Sequence, residues 1–224
     1  MFKISLIIYL LSLFSDSIVV MPASSRYVKY TTEFEFKEGI YLDFEQVKNN
    51  NPIPKSRIIS SLDPNDRDFF EKLFTKDKVY IYDRFGMKKL INPSSIWGYS
   101  DNGFIYIALS EGFHRISIVG SACHFVADIT VYSTYYNDPY YYNSYYNSMR
   151  PVTSKSSELR QYLLDFKTGK IYDYNVKGLE IILMNDPELY DEYLALKKRK
   201  KKQLKFFYLR KYNVRNHLYI PLNN

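Results

Sequence analysis

The stretch that decides the fold runs from Ile96 to Tyr132, IWGYSDNGFIYIALSEGFHRISIVGSACHFVADITVY. It reads as three successive β-strands. Phe104 to Leu109 is a run of Phe, Ile, Tyr and Leu, residue types that suit a pleated, half-buried surface. Ser110-Glu111-Gly112 supplies a reversal in which glycine is expected to take the positive φ. From Phe113 to Val119, Ile116 and Ile118 alternate with Arg115 and Ser117, and Gly120 interrupts the pattern as at a bulge or bend. In the third run Cys123, Phe125, Ala127, Ile129 and Val131 share one face. Ala122, His124, Val126, Asp128 and Thr130 share the other. The period of two therefore buries Cys123 and turns His124 away from it. A one-residue slip would exchange the two sets, so the register is well specified.

Upstream of this block, Phe34 and Phe36 alternate with Glu35 and Lys37, as in a strand or extended arm. Asp43 followed by Gln46 predicts a capped short helix, stopped by Asn49-Asn50-Asn51-Pro52. Arg57 to Leu62 reads as a strand. Asp63-Pro64 reads as a helix start, with Phe69, Phe70, Leu73 and Phe74 facing inward. Val79 to Tyr82 is a further strand, reversed at Phe85-Gly86-Met87-Lys88 toward Leu90-Ile91.

Downstream, the segment from Tyr132 to Asn147, YSTYYNDPYYYNSYYN, carries eight of the chain's 24 tyrosines without helix or strand period. It predicts a tyrosine-rich loop over 132–157. Order resumes at Leu159, with Tyr162, Leu164 and Phe166 on one face, a turn at Lys167-Thr168-Gly169, and a partner strand from Lys170 to Tyr174. Asn175 caps a helix holding Leu179, Ile182 and Leu183. Asp186-Pro187 then opens one long helix to about Arg210. These elements predict an α+β protein: a mainly antiparallel β-sheet with short helices and a long basic C-terminal helix.

The first 25 residues read as a secretory signal peptide. Lys3 gives the positive start, Ile4 to Phe14 the apolar core, and either Ser15-Asp16-Ser17 or Ala23-Ser24-Ser25 the cleavage site. That core is shorter than the ~20 residues that span a bilayer. Residues 26–224 then form the mature protein, expected as one domain. A lone cysteine excludes an intramolecular disulfide, so stability rests on the core.

The net charge of +7 is a local property. From Lys197 onward there are ten basic residues and no acidic one; the rest of the chain holds 21 basic residues against 24 acidic. Six cations run consecutively, Lys197, Lys198, Arg199, Lys200, Lys201 and Lys202, and on a helix they point in all directions. One account is a solvated helix end, where cations suit the negative pole of the dipole. Another is contact with an anionic surface, lipid head groups or polyanionic glycan. Nucleic acid fits poorly with export. A second candidate surface is the tyrosine-rich loop around Tyr140, Tyr141 and Tyr142, since tyrosine stacks on sugar rings and anchors partners at low entropy cost.

Signals for catalysis are weak. Cys123 and His124 are adjacent in a strand and face apart. Zinc-ligand spacings, phosphate-binding glycine loops and GxSxG are absent from the sequence. Asp63, Asp66 and Asp68 lack the glycine and distal glutamate of a calcium loop. No cofactor or metal site is expected.

Several short motifs carry a resemblance: Gly39-Ile40-Tyr41-Leu42-Asp43-Phe44, Lys48-Asn49-Asn50-Asn51-Pro52, Trp97-Gly98-Tyr99-Ser100-Asp101, Ile118-Val119-Gly120, Tyr212-Asn213 and Leu218-Tyr219-Ile220-Pro221. With them the chain resembles a group of uncharacterised secreted proteins of Bacteroidetes. The resemblance implies export in a Gram-negative bacterium, to the periplasm or outer surface, and assigns no activity. The expectation is a non-enzymatic binding or structural component of the cell envelope. An envelope-directed hydrolase using His114 or His124 with a carboxylate, and a subunit of an envelope protein complex, are the alternatives.

Overall fold

The structure, a computed structural model, describes residues 26–135 and 152–222. The leader and Tyr140, Tyr141 and Tyr142 lie outside the described residues. The first half of the chain forms β1 (Arg26–Lys29), β2 (Gly39–Tyr41), α1 (Phe44–Lys48), β3 (Ile58–Ile59), α2 (Phe69–Phe74), β4 (Val79–Tyr82) and β5 (Lys88–Ile91). Then come β6 (Gly98–Asp101), β7 (Phe104–Leu109), β8 (Gly112–Ile118), β9 (Ala122–Tyr135), β10 (Val152–Asp165) and β11 (Ile171–Asp173). Helices α3 (Val176–Leu183), α4 (Pro187–Leu194) and α5 (Lys198–Arg215) precede the final strand β12 (Tyr219–Leu222).

The centre is a seven-stranded sheet in the order β11-β10-β9-β8-β7-β6-β2, antiparallel throughout. This is the α+β architecture that the alternation predicts. One face packs Tyr41, Ile105, Ile107, Cys123, Phe125 and Leu164 against Val47 of α1 and Ile220 of β12. The other face is covered twice. At the β9–β10 end, Ala122 and Leu163 meet α3, α4 and α5 through Leu179, Leu183, Leu189 and Leu209. At the β2–β6–β7 end, Ile40, Tyr99 and Tyr106 meet α2 and a small three-stranded sheet, β3-β4-β5, through Phe70, Leu73 and Ile81. Cys123 and Ala122 are both fully buried, on opposite faces, as the period of two requires.

Several boundaries differ from expectation. The central stretch holds four strands rather than three, because Gly98–Asp101 pairs on both sides. The ends of the segment 132–157, expected as loop, are strand: Tyr132 pairs with Lys155, and β9 and β10 run antiparallel over 14 residues each. Backbone pairing outweighs the polar, patternless composition there. Phe34 and Phe36 are not in a strand; they cluster with Tyr30 at ring separations of 5.7 and 6.2 Å and enter the core. The strand expected over Arg57–Leu62 is two residues long. Asp63 does not open a helix. It closes a local turn by accepting from Asn65 N–H at 2.9 Å, and α2 begins only at Phe69. Ser110, not Gly112, takes the positive φ, at 57°. The bulge in β8 falls between Ile116 and Ile118, and Gly120 lies at a bend, the second of the two readings of that glycine.

The helix caps match the sequence closely. Asp43 accepts from Gln46 N–H at 2.8 Å, while the Gln46 side chain reaches back to Leu42 N–H at 2.7 Å. Asn175 caps α3 through Gly178 N–H. Asp186 caps α4 through Leu189 N–H.

Candidate anion-binding surface on the C-terminal helix

The long helix expected from Pro187 is two helices. The chain leaves α4 at Ala195, turns through Leu196 and Lys197, and returns as α5. No proline or glycine forces the break. Packing does: Leu189 and Tyr193 of α4 share a core with Tyr208, Leu209 and Tyr212 of α5, and Tyr193 donates to the Lys201 carbonyl at 3.0 Å. Asp186 at the start of α4 holds Arg215 at the end of α5, with hydrogen bonds of 2.7 and 3.1 Å. Closing α4 onto α5 buries a stripe that one continuous helix would leave in water.

The break reverses the electrostatic meaning of the basic run. Had the helix begun at Pro187, the cations would approach its negative pole. They instead form the first turn of α5, where the helix dipole is positive. Lys197 is the N-cap and provides no side-chain hydrogen bond, and the first turn holds no acid. Amide hydrogens at this end lack helical acceptors. The cluster therefore opposes the helix it starts, and the solvated-end account at the negative pole does not apply.

The cations are not equivalent. Lys197, Lys198, Arg199, Lys200 and Lys202 are exposed, and among the described residues none has an ion-pair partner. Lys201, grouped with them from sequence, turns inward. It bonds Glu180 of α3 at 2.9 Å and lies over the Tyr193 ring, so it belongs to the helix packing and not to the open surface. Later cations are also committed: Lys205 donates to the Tyr174 carbonyl, Lys211 pairs with Glu192, and Arg215 with Asp186 and Glu188. Burial, aided by nearby Lys202, holds the Lys205 ammonium below its ordinary pKa.

Sequence reasoning missed the apolar groups on the same outward side. Phe206 is partly exposed and stacks under Arg210 at 4.7 Å. Phe207 is 55 % exposed and Val214 71 %. At 100° per residue, Arg199, Gln203, Phe206, Phe207, Arg210 and Val214 lie on one arc, opposite the buried Tyr208, Leu209 and Tyr212. The sequence carries no signal for this, because the packing of α5 on α3 and α4 decides which of its positions are buried.

The thiol and imidazoles are placed otherwise. Cys123 is fully buried; burial pushes its pKa up to about 12, and it donates to the Gly120 carbonyl at 3.3 Å. His124 lies on the opposite face, bonded to Gln161 at 3.1 Å and set against the Tyr174 ring, and burial lowers its pKa. His114 bonds the Leu109 carbonyl and His217 the Lys29 ammonium. Among the described residues, none of these rings bonds a carboxylate. Asp66 pairs with Lys72 and Asp63 caps its own turn, and no described group of His, Cys, Asp and Glu is placed to hold a metal.

No described helix is long and apolar enough to cross a membrane. Comparison with models of known protein families, with curated proteins and with solved structures finds no match.

Proposed function

We propose that this is an exported, non-enzymatic binding component of the cell envelope, held to an anionic surface by the first turn and outward face of α5. The observation that carries the reading is the set of unpaired cations at the positive pole of an uncapped helix. Such a helix end attracts phosphate and carboxylate through its free amides and its dipole. Five unpaired cations add attraction that a bound anion alone would relieve. The exposed Phe206, Phe207 and Val214 favour a lipid surface over a soluble polyanion, because an interface covers apolar groups as well as charges. Export rests on the positive start, apolar core and small-residue end of residues 1–25.

Sedimentation of the mature protein with vesicles tests this. Binding is expected to phosphatidylglycerol-containing vesicles and not to phosphatidylcholine alone, and to weaken with added salt. Replacing Lys198, Arg199, Lys200 and Lys202 with glutamine should reduce binding by about a thousand-fold, at about 1 kcal/mol for each of the four basic residues near the surface. Lys201→Gln should instead lower stability with less effect on binding. Equal binding by the quadruple variant would refute the proposal.

A further inference from the structure

The hairpin of β4 and β5 leaves the body of the protein and ends in an exposed apolar tip. Phe85 is 77 % exposed and Met87 63 %, and every residue from Arg84 to Leu90 is exposed. Two large apolar side chains at one apex are the kind of patch that marks a contact surface. The apex is rigid. Asp83 N–H donates to the Met87 carbonyl at 2.9 Å, and Gly86 N–H to the Asp83 carbonyl at 3.1 Å. The Asp83 carboxylate also accepts from Phe85 N–H at 2.8 Å and Met87 N–H at 2.9 Å. Gly86 takes a φ of 77°, which favours glycine there. The turn thus holds both side chains outward at little further entropic cost.

Charge around this tip is net positive. From Tyr82 to Ile91 the one acid is Asp83, whose Oδ1 accepts from the turn amides, against Arg84, Lys88 and Lys89. Register puts Tyr82 and Leu90, both exposed, on one face of the hairpin, with Lys88 over the Tyr80 ring at 4.2 Å. Lys89 points to the opposite face, across from Ile81. There an open cleft of about 530 Å³ lies between the hairpin and the α1 region, lined by Arg57, Arg84, Lys89, Gln46 and Asn51 together with the Asp83 carboxylate. Arg57 donates to the Tyr82 carbonyl at 2.8 Å, so the cleft beside the apolar apex keeps a net positive lining of three cations against one acid.

We propose that the β4–β5 hairpin is a lipid-inserting tip: Phe85 and Met87 enter the acyl boundary of an anionic bilayer while the adjoining cleft takes a phosphate-bearing head group. The apolar apex gains by leaving water and the cations beside it by meeting anions, and the surface of an anionic bilayer supplies both within one side-chain length. A soluble anion would satisfy the cleft alone. This contact is separate from α5 and stands or falls without it.

The test uses the full mature chain. Phe85→Ser with Met87→Ser should weaken partition into phosphatidylglycerol vesicles by about ten-fold or more, on the value of burying large apolar side chains. The melting temperature should not change, because both side chains lie in water. Arg84→Gln with Lys89→Gln should reduce the preference for anionic over neutral vesicles. Phe85→Trp should blue-shift its emission on anionic vesicles and be quenched by brominated acyl chains, and should do so in the α5 glutamine background as well. Unaltered partition of the serine variant, or no acyl-chain quenching, would overturn the proposal. Inorganic phosphate binding in the cleft without an effect of the tip on vesicles would also overturn it, leaving a soluble-anion site. Weaker binding in the α5 variant, with tip quenching retained at saturating lipid, would count for both surfaces; unchanged binding there would count against α5 alone.

Discussion

Cys123 shows what alternation does to chemistry. Neighbours along a strand face opposite sides of a sheet, so the thiol and the adjacent imidazole are divided by the backbone that joins them. Burial keeps the thiol protonated, with its pKa raised from 9.0 to about 12. The folded state then holds a proton that the unfolded state releases between those values. The stabilisation from this group is full below about pH 9 and lost as pH rises toward 12. Only the thiolate reacts rapidly, so maleimide labelling of the native protein at neutral pH should be slow, and labelling in guanidinium fast. Rapid native labelling would place the sulfur in the open and reopen the catalytic alternative.

Helices α4 and α5 show packing overriding propensity. Nothing between Leu194 and Lys198 stops a helix by composition, yet the chain turns there, because folding back buries Leu189 and Tyr193 against Tyr208 and Leu209. Asp186 fastens the far ends by capping α4 and pairing with Arg215 and Asn216. The Arg215 guanidinium is the main cause that holds the Asp186 carboxyl below its ordinary pKa. Asp186→Ala should therefore destabilise the protein by about 2 kcal/mol, read from the urea midpoint. The carboxylate's contribution is present above the ordinary carboxylate range and fades as pH falls through the lowered folded value. Wild type and variant should thus converge in acid; a constant difference would show that the carboxylate charge is irrelevant.

At the scale of the whole molecule, the sheet and the helices share a core, and a side-chain amide pins one to the other. Where β8 leaves β9, the side chain of Asn213 takes the vacated edge of Ala122, accepting from its N–H and donating to its carbonyl, each at 2.8 Å. A Cβ at Gly120 would lie 2.6 Å from that amide. Gly120 reads from sequence as a bulge or bend and does sit at a bend, where its smallness also makes room for a residue on α5, 91 positions from Ala122. Asn213→Ala should lose about 1–3 kcal/mol by leaving buried backbone groups unpaired. Gly120→Ala should be similarly harmful alone and much less so in the Asn213→Ala background, a coupling of about 1 kcal/mol or more in a double-mutant cycle. Additive effects would mean that Gly120 is required for another reason.

Strand existence, the burial of Cys123 and the caps at Asp43, Asn175 and Asp186 were legible because each depends on residues within a few positions of one another. The same holds for the basic composition of the last helix. Its polarity was not legible: whether Lys197 to Lys202 meets the negative or the positive end of a helix depends on where the chain turns, and distant contacts chose that turn. Nor could composition separate Lys201 from its neighbours, or mark Phe85 and Met87 as bare, since both depend on which surfaces the rest of the fold comes to cover. Local pattern reports what a segment prefers to be; long-range burial sets which of its side chains remain in water, and those are the ones available to bind.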